Sequence, residues 1–192
     1  MTRLICLLVI AALGQQLYGC TTAAVGGAAT GVAVIHDRRT AATVLEDQGI
    51  ELKAMKLLYD HPEIRDHSNI SITSYNLKVL LTGEADTREV SDRFADLVSR
   101  IQRVERVHNE IVVGPSGTLL DQSNDAYLTA KVKYALLKIK AKGFDPTRVK
   151  VVTSQGTVFL MGLISRREAD MVVEKVRFVS GVKRVVKVFE YI

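Results

Sequence analysis

The sequence has little that would support covalent catalysis or a disulfide framework. Its 192 residues include two cysteines, three prolines and four histidines, and no tryptophan. Both cysteines, Cys6 and Cys20, lie within the first twenty residues, so the rest of the chain has no thiol for a disulfide, a redox centre or a nucleophile. After residue 20, no segment reaches the roughly 18 consecutive apolar residues that a membrane-spanning helix needs.

The remaining titratable side chains form no catalytic or metal-binding pattern. His61 and His67 lie six residues apart in a polar stretch, with no third ligand at metal-site spacing. Glu84 and Asp86 are close in sequence, but they precede a predicted helix, where acidic side chains serve as caps. We therefore predict a protein that is not an enzyme and that uses no cofactor, no metal and no small-molecule substrate.

The first twenty residues have the pattern of an export signal. Arg3 precedes a ten-residue apolar run, which is too short to span a bilayer. The stretch 17–20 resembles the lipobox of bacterial lipoproteins, although Tyr18 replaces the usual small residue. That resemblance implies a signal peptide at 1–19 and fatty acylation of Cys20, and the threonine that follows, in place of aspartate, implies sorting to the outer membrane. The alternative is an ordinary signal peptide with an incidental cysteine.

The rest of the chain contains one internal repeat with a spacing of 79 residues. The segment 79–83 (VLLTG) matches 158–162 (VFLMG), and the leucine pair 57–58 matches the pair 136–137 at the same spacing. A spacing this long indicates two copies of a small domain rather than a solenoid. We predict a flexible tether over 20–46, a first domain over 47–114, a hinge over 115–122 and a second domain over 123–192.

Both copies have the same predicted order of elements, α-β-β-α-β. In the first helix we expect a core stripe of Leu52, Met55 and Leu58 in copy one, and of Leu128, Val132 and Leu136 in copy two. A tight turn joins two strands, and a second helix begins at a capping box, Asp86 with Glu89 and Ser165 with Glu168. The fold class is therefore α+β, with two tandem domains in which two helices pack on a three-stranded mixed sheet.

These features resemble the BON domain. The match is closest in copy two, at 158–163 (VFLMGL) and 179–185 (VSGVKRV). Two such copies behind a lipobox are similar to the outer-membrane lipoproteins of the DolP family, and the resemblance covers nearly the whole chain. It implies a non-enzymatic protein, anchored at the periplasmic face of the outer membrane, that maintains membrane integrity by binding anionic phospholipid through its second domain.

Charge is distributed unequally between the two copies. Residues 47–114 contain nine Lys/Arg and twelve Asp/Glu, a net charge of −3, whereas residues 121–192 contain fourteen and seven, a net charge of +7. In the cytosol such a basic half would suit nucleic acid. In an exported protein it suits anionic lipid head groups, lipopolysaccharide or acidic protein, so we predict no nucleic-acid partner.

A basic and aromatic strip is predicted on the first helix of copy two. Tyr127, Lys131, Tyr134 and Lys138 fall at i, i+4, i+7 and i+11, away from the core stripe, and Lys133 adds charge nearby. Tyrosine and lysine have apolar bodies and polar tips, which suit a membrane interface. The resemblance implies that Tyr127 takes part in phospholipid binding. The alternative is that these lysines only solvate the outer face of the helix.

Two functions remain open from the sequence. The first is a lipid-anchored factor that reads anionic lipid and maintains the outer membrane. The second is an interaction module in a larger envelope assembly, such as a secretion or outer-membrane-insertion complex. The basic strip of copy two favours the first function, and the acidic first copy with its hinge would suit the protein partner of the second.

Overall fold

The computed structural model of the chain describes residues 37–115, residue 117 and residues 119–192. The predicted signal peptide, the lipid anchor Cys20 and the tether up to residue 36 lie outside the described residues. The part of the chain that is described contains both α-β-β-α-β copies, which confirms the predicted fold class.

The first helix of the first copy begins within the segment predicted as a tether. The elements of this copy are α1 (Ala41–Asp60), a short α2 (Pro62–Arg65), β1 (Ser68–Tyr75), β2 (Lys78–Ala85), α3 (Arg88–Ser99), β3 (Arg106–Asn109) and β4 (Val112–Val113). The Thr40 side chain caps α1 by accepting a hydrogen bond from the N–H of Thr43, so this helix starts inside the predicted tether. The cap of α3 is Thr87, whose side chain accepts from the N–H of Val90, and not the predicted Asp86.

The sheet of the first copy is mixed, as predicted. The strands β1 and β2 form an antiparallel hairpin, and β3 and β4 both run parallel to β2. Arg106 pairs with Lys78 and Val112 pairs with Glu84, 28 positions apart in each case. The segments β3 and β4 are therefore one strand, interrupted where Ile111 turns into the core.

The second copy is the more regular one. Its elements are α4 (Leu119–Leu137), a 3-10 turn (Pro146–Arg148), β5 (Lys150–Ser154), β6 (Thr157–Ile164), α5 (Arg166–Val176) and β7 (Arg184–Tyr191). β5 pairs antiparallel with β6, and β7 pairs parallel with β6 over its whole length. The predicted capping box of Ser165 and Glu168 is present at the start of α5. α4 begins inside the predicted hinge, because its first residues are already helical.

The predicted core stripe of α1 is wrong at two of its three positions, and only the third, Leu58, packs against the core. Leu52 and Met55 are exposed to 68% and 48%, whereas Ile50 and Ala54 are fully buried. The core positions of α1 and α4 lie 78 residues apart, whereas the hairpins lie 79 apart, so the two copies align only with a one-residue gap between the first helix and the hairpin. An apolar stripe of α1 is therefore exposed to solvent, and it consists of Leu45, Leu52, Met55 and Tyr59.

The two sheets pack against each other through their second faces. Val79 and Leu81 of β2 face the helices of the first copy. Leu80 lies between them in sequence and points the opposite way, where it joins Phe159 and Met161 of β6 in a shared buried cluster. The predicted hinge therefore does not separate two independent bodies, and the described residues form one compact unit.

Candidate functional site

The outer face of α4 exposes large apolar side chains. Tyr127, Tyr134 and Leu137 are exposed to 67%, 61% and 66%, and at 100° per residue they fall within an arc of about 80°. The opposite face is core, because Leu128 and Val132 are buried there. α4 thus presents to solvent an apolar arc that the core of the domain does not use.

Lysines border this arc on both sides. On one side, the Lys131 ammonium lies 5.4 Å from the centroid of the Tyr127 ring, and the Lys138 ammonium lies 4.2 Å from that of Tyr134. On the other side Lys133 is exposed, about 120° around the helix from Tyr127. The lysine–tyrosine pairs are cation–π contacts, so positive charge and apolar surface lie side by side.

The structure brings together four of the five residues predicted to bind phospholipid. One edge of the arc carries Tyr127, Lys131, Tyr134 and Lys138, and Lys133 lies on the opposite edge. Lys131 already has a partner within the protein, because its Nζ donates a hydrogen bond to the carbonyl of Ser180 at 2.5 Å. The role of these residues in lipid binding stays a prediction.

Leu137 is the exposed residue that the sequence prediction missed. Its neighbour Leu136 is buried in the core, and the next residue of a helix points about 100° away. The signal was present in the sequence, because Leu128, Val132 and Leu136 already fill the core stripe at intervals of four. A leucine directly after that stripe must face another way, and in α4 it faces solvent.

A carboxylate near the start of α4 fixes this helix on its sheet. Asp125 accepts hydrogen bonds from the backbone N–H groups of Gln155 at 2.7 Å and Gly156 at 2.9 Å. These two residues form the turn between β5 and β6, and both have positive φ angles, as a two-residue hairpin turn requires. Because the turn is tied to α4, the position of the exposed face is tied to the sheet as well.

The start of the described chain is fastened to the second copy. Arg38 donates hydrogen bonds to Glu168 at 2.8 and 3.0 Å and to the carbonyl of Leu163 at 3.2 Å. Burial raises the pKa of Glu168, but hydrogen bonds from Arg38 and Ser165 outweigh it and hold that pKa at about 2. Arg38 also lines a cavity of about 210 Å³ together with Lys142. Arg38, at the start of the described residues, therefore lies beside the basic loop that follows α4.

The histidines have local roles in the first copy. The Nδ1 atom of His61 lies 2.8 Å from the carbonyl oxygen of Leu57, and Nδ1 of His67 lies 2.9 Å from the Asp86 carboxylate at the surface. Over residues 37–115, 117 and 119–192, no three His, Cys, Asp or Glu side chains are arranged to hold a metal ion. Within the same ranges, no helix is both long and apolar enough to cross a bilayer.

Comparisons with known proteins identify relatives of the whole described fold. The family model of the BON domain matches residues 46–115 and 124–192. The chain is 33% identical over 179 residues to the outer membrane lipoprotein DolP of Haemophilus influenzae, covering 92% of this chain and 90% of that protein. It is 34% identical over 159 residues to the 21 kDa hemolysin of Actinobacillus pleuropneumoniae, covering 81% of this chain and 79% of that protein.

One solved structure is similar to a lower degree. It is CdsD, a structural protein of the type III secretion system of Chlamydia trachomatis, which is 19% identical and aligns over 76% of this chain and 63% of that chain. The TM-score is 0.30, which is too low to bear on the function of this chain.

Proposed function

This chain belongs to the BON-domain family, with one BON domain in each copy, and from that premise we propose that it is a non-enzymatic, lipid-anchored protein that binds anionic phospholipid through α4. We place it at the periplasmic face of the outer membrane, where its role is to maintain membrane integrity. The similarity to an outer membrane lipoprotein over 92% of the chain supports the anchor at Cys20 and this location. The observation that carries the proposal is the exposed apolar arc of α4 with its bordering lysines.

Two attractive effects act together at this face. Fully burying a large apolar side chain contributes about 1.5–3 kcal/mol, and Tyr127, Tyr134 and Leu137 offer such area to the head-group region. A lysine near an anionic leaflet contributes about 1 kcal/mol, and Lys133 and Lys138 are exposed at the two borders. The apolar arc would hold the protein at the bilayer surface, and the lysines would select anionic lipid.

The attachment of the tether supports the same orientation. Arg38 is fixed to Glu168 and lies beside the loop that contains Lys142. A lipid anchor on the N-terminal side of Arg38 is therefore connected to the molecule beside the basic segment that continues α4. The anchor and the proposed lipid-binding face can then approach one leaflet together.

Sedimentation with vesicles tests this proposal. The double variant Lys131→Glu, Lys138→Glu reverses two charges at one border of the arc without changing a core residue, so it should fold and lose most of its binding to anionic vesicles. The matched control is Lys53→Glu with Lys56→Glu on α1, which makes the same change on the acidic copy. Equal binding by both double variants and the unmodified chain would remove α4 as the lipid-binding face.

The exposed stripe of α1 favours a second candidate function. Leu45, Leu52, Met55 and Tyr59 lie on one side of a helix in the acidic copy, where attraction to an anionic leaflet is weak. We propose as the alternative that this stripe contacts a protein in a larger envelope assembly. Leu52→Lys with Met55→Lys should then abolish a complex that survives detergent, while leaving vesicle binding unchanged. An unaltered complex would contradict this alternative.

A further inference from the structure

A second feature of α4 is a cavity that opens beside its exposed face. The cavity has a volume of about 530 Å³, which is within the range of small-molecule sites in proteins. It lies between the C-terminal half of α4, the start of β5 and the end of β1. Its floor is apolar and buried, formed by Tyr75, Leu136, Val149 and Val151.

The mouth of this cavity has a different character. Leu137 and Lys133, both exposed, stand at the rim on the α4 side, and Thr147 stands opposite on the 3-10 turn. Leu137 belongs to the apolar arc that we propose to contact lipid. The mouth therefore opens at the border of the proposed lipid-binding face, so a molecule at that surface would meet the apolar floor directly.

The charged side chains in the described lining are all cationic. Three cationic side chains line the cavity, Arg39, Lys133 and Lys150, and no carboxylate is among the described lining residues. Arg39 already pairs with Asp47 at 2.7 Å and Lys150 with Glu51 at 3.2 Å. Lys133 makes no salt bridge with another described residue, so its charge is available to a ligand.

We infer that this cavity holds one alkyl chain of an anionic amphiphile, with the phosphate or carboxylate head group at Lys133. An apolar floor with one unpaired cation among its described lining residues matches a molecule that has one chain and one negative end. This inference rests on the proposed lipid-binding role of α4. It adds that one lipid molecule binds in the cavity, in addition to the contact of α4 with the bilayer surface.

The test uses dodecyl phosphate below its critical micelle concentration, added to the full chain with Cys20→Ser. The methyl NMR signals of Val149, Val151 and Leu137 should shift and saturate at one equivalent, because the chain fills the space between them. Inorganic phosphate, which has the charge without the chain, should leave these signals unchanged. Dodecyl maltoside, which has the chain without the charge, should bind at least fivefold more weakly.

A pair of lysine variants isolates the head-group contact. Lys133→Gln should weaken dodecyl phosphate binding about fivefold, since one lysine contributes about 1 kcal/mol and 1.4 kcal/mol is tenfold. Lys140→Gln removes an exposed lysine three residues after the end of α4 and outside the lining, and should leave binding unchanged. Equal effects of the two variants, or equal shifts with inorganic phosphate, would overturn the inference.

Failure of this inference is distinguishable from failure of the proposed function. The protein could still sediment with anionic vesicles while dodecyl phosphate leaves the methyl signals of the cavity floor unchanged. That result would keep the lipid-binding face and overturn only the inference about the cavity. A protein that binds dodecyl phosphate in the floor but does not sediment with vesicles supports the cavity and overturns the proposed membrane face.

Discussion

Asp47 and Asp125 lie 78 residues apart and hold equivalent hairpin turns. Asp47 accepts the backbone N–H of Leu77 at 2.9 Å, and Asp125 accepts that of Gly156 at the same distance. The two carboxylates differ in their surroundings, because Asp47 is buried and also accepts from Arg39 at 2.7 Å. Each BON domain of this chain therefore ties its first helix to its hairpin turn through an aspartate, and in the first copy Glu51 of α1 also accepts the N–H of Ser74 at 2.7 Å.

Replacing these carboxylates should destabilise the protein to different extents. Asp47→Ala should lower the free energy of unfolding by roughly 3 kcal/mol, because it removes one partner of a buried ion pair and leaves two turn N–H groups without their acceptor. Asp125→Ala should cost roughly 1 kcal/mol, since this side chain is only partly buried. Chemical denaturation monitored by circular dichroism measures both.

A surface aspartate provides the control for that comparison. Asp60 pairs with Lys56 on the exposed side of α1, where a pair contributes roughly 0.5 kcal/mol or less. Asp60→Ala should therefore be almost neutral. If Asp47→Ala were no more destabilising than Asp60→Ala, the carboxylate clamp would not be what holds the hairpin.

Two glycines in the sheets should not accept a side chain. A Cβ atom at Gly83, where φ is +110°, would lie 2.0 Å from the carbonyl oxygen of Asn69, and one at Gly162 would lie 2.7 Å from that of Arg148. Gly83→Ala and Gly162→Ala should each cost ~3 kcal/mol through steric overlap, and at Gly83 the positive φ adds backbone strain. At Gly114 nothing lies within 4 Å of an added Cβ atom, so Gly114→Ala should be near neutral.

The shared core determines how these glycine variants unfold. Since Leu80 and Phe159 belong to one buried cluster, each variant should lower a single thermal transition of the whole chain. Two separated transitions, with one unchanged in each variant, would mean that the copies are independent despite their contact.

Stability should depend on pH through Glu168. Its pKa is held at about 2, below the ordinary value of 4.5, so the unfolded chain takes up this proton more readily than the folded protein. The resulting stabilisation is present above the unfolded-chain pKa of 4.5 and is lost as the pH falls toward 2. Free energies of unfolding between pH 6 and pH 2.5 should show the difference between the unmodified chain and Glu168→Gln shrinking over that window.

Arg38→Ala distinguishes the cause of this dependence. Removing the guanidinium should raise the pKa of Glu168 and weaken the pH dependence, because the hydrogen bonds from Arg38 are the main opposition to the effect of burial. A pH dependence identical in Arg38→Ala and the unmodified chain would show that the Arg38 contact does not control the pKa.

Local patterns explain which parts of the fold could be predicted from the sequence. The capping box at Ser165 and Glu168 and the repeated hairpins depend on neighbouring residues, and their signals are short and specific. The order α-β-β-α-β followed from them. The core face of α1 could not be identified in the same way, because the exposed side chains Leu52, Met55 and Tyr59 have the same spacing of three and four residues as a core face.

The packing of the two sheets had a signal that was not used. The segments 79–81 and 158–161 are continuously apolar instead of alternating, and continuous apolar strands are typical of sheets that are buried on both faces. Leu80 and Phe159 supply the second buried face. The continuous apolar strands predict that a second buried face exists. The residues that cover this face lie almost eighty positions away in sequence, so only the three-dimensional structure identifies them.

The lipid anchor is tested at Cys20, which lies outside the described residues. Cys20→Ser removes the predicted acyl acceptor, so the protein should lose incorporation of a fatty-acid probe and its stable association with membranes. Metabolic labelling followed by membrane fractionation measures both outcomes, with Cys6→Ser as the control. Equal labelling of the Cys20 variant and the unmodified chain would end the lipoprotein interpretation.

The apolar and the charged parts of the α4 face should respond differently to salt. Leu137→Ser should weaken binding to anionic vesicles about tenfold at every salt concentration, because it removes apolar contact worth more than 1 kcal/mol. Lys138→Gln should weaken binding about fivefold at low salt and progressively less as salt screens the charge. Sedimentation at low and moderate ionic strength separates the two effects.

A matched leucine on α1 makes this test specific for α4. Leu52 is exposed to 68% and Leu137 to 66%, so Leu52→Ser removes nearly the same exposed apolar surface from the acidic copy. It should leave vesicle binding unchanged, since the first copy has a net charge of −3 and Lys56, next to Leu52 on α1, is paired with Asp60. If the two serine variants weakened binding equally, lipid contact would depend on exposed apolar area in both domains, and the distinction between a lipid-binding second copy and a protein-binding first copy would fail.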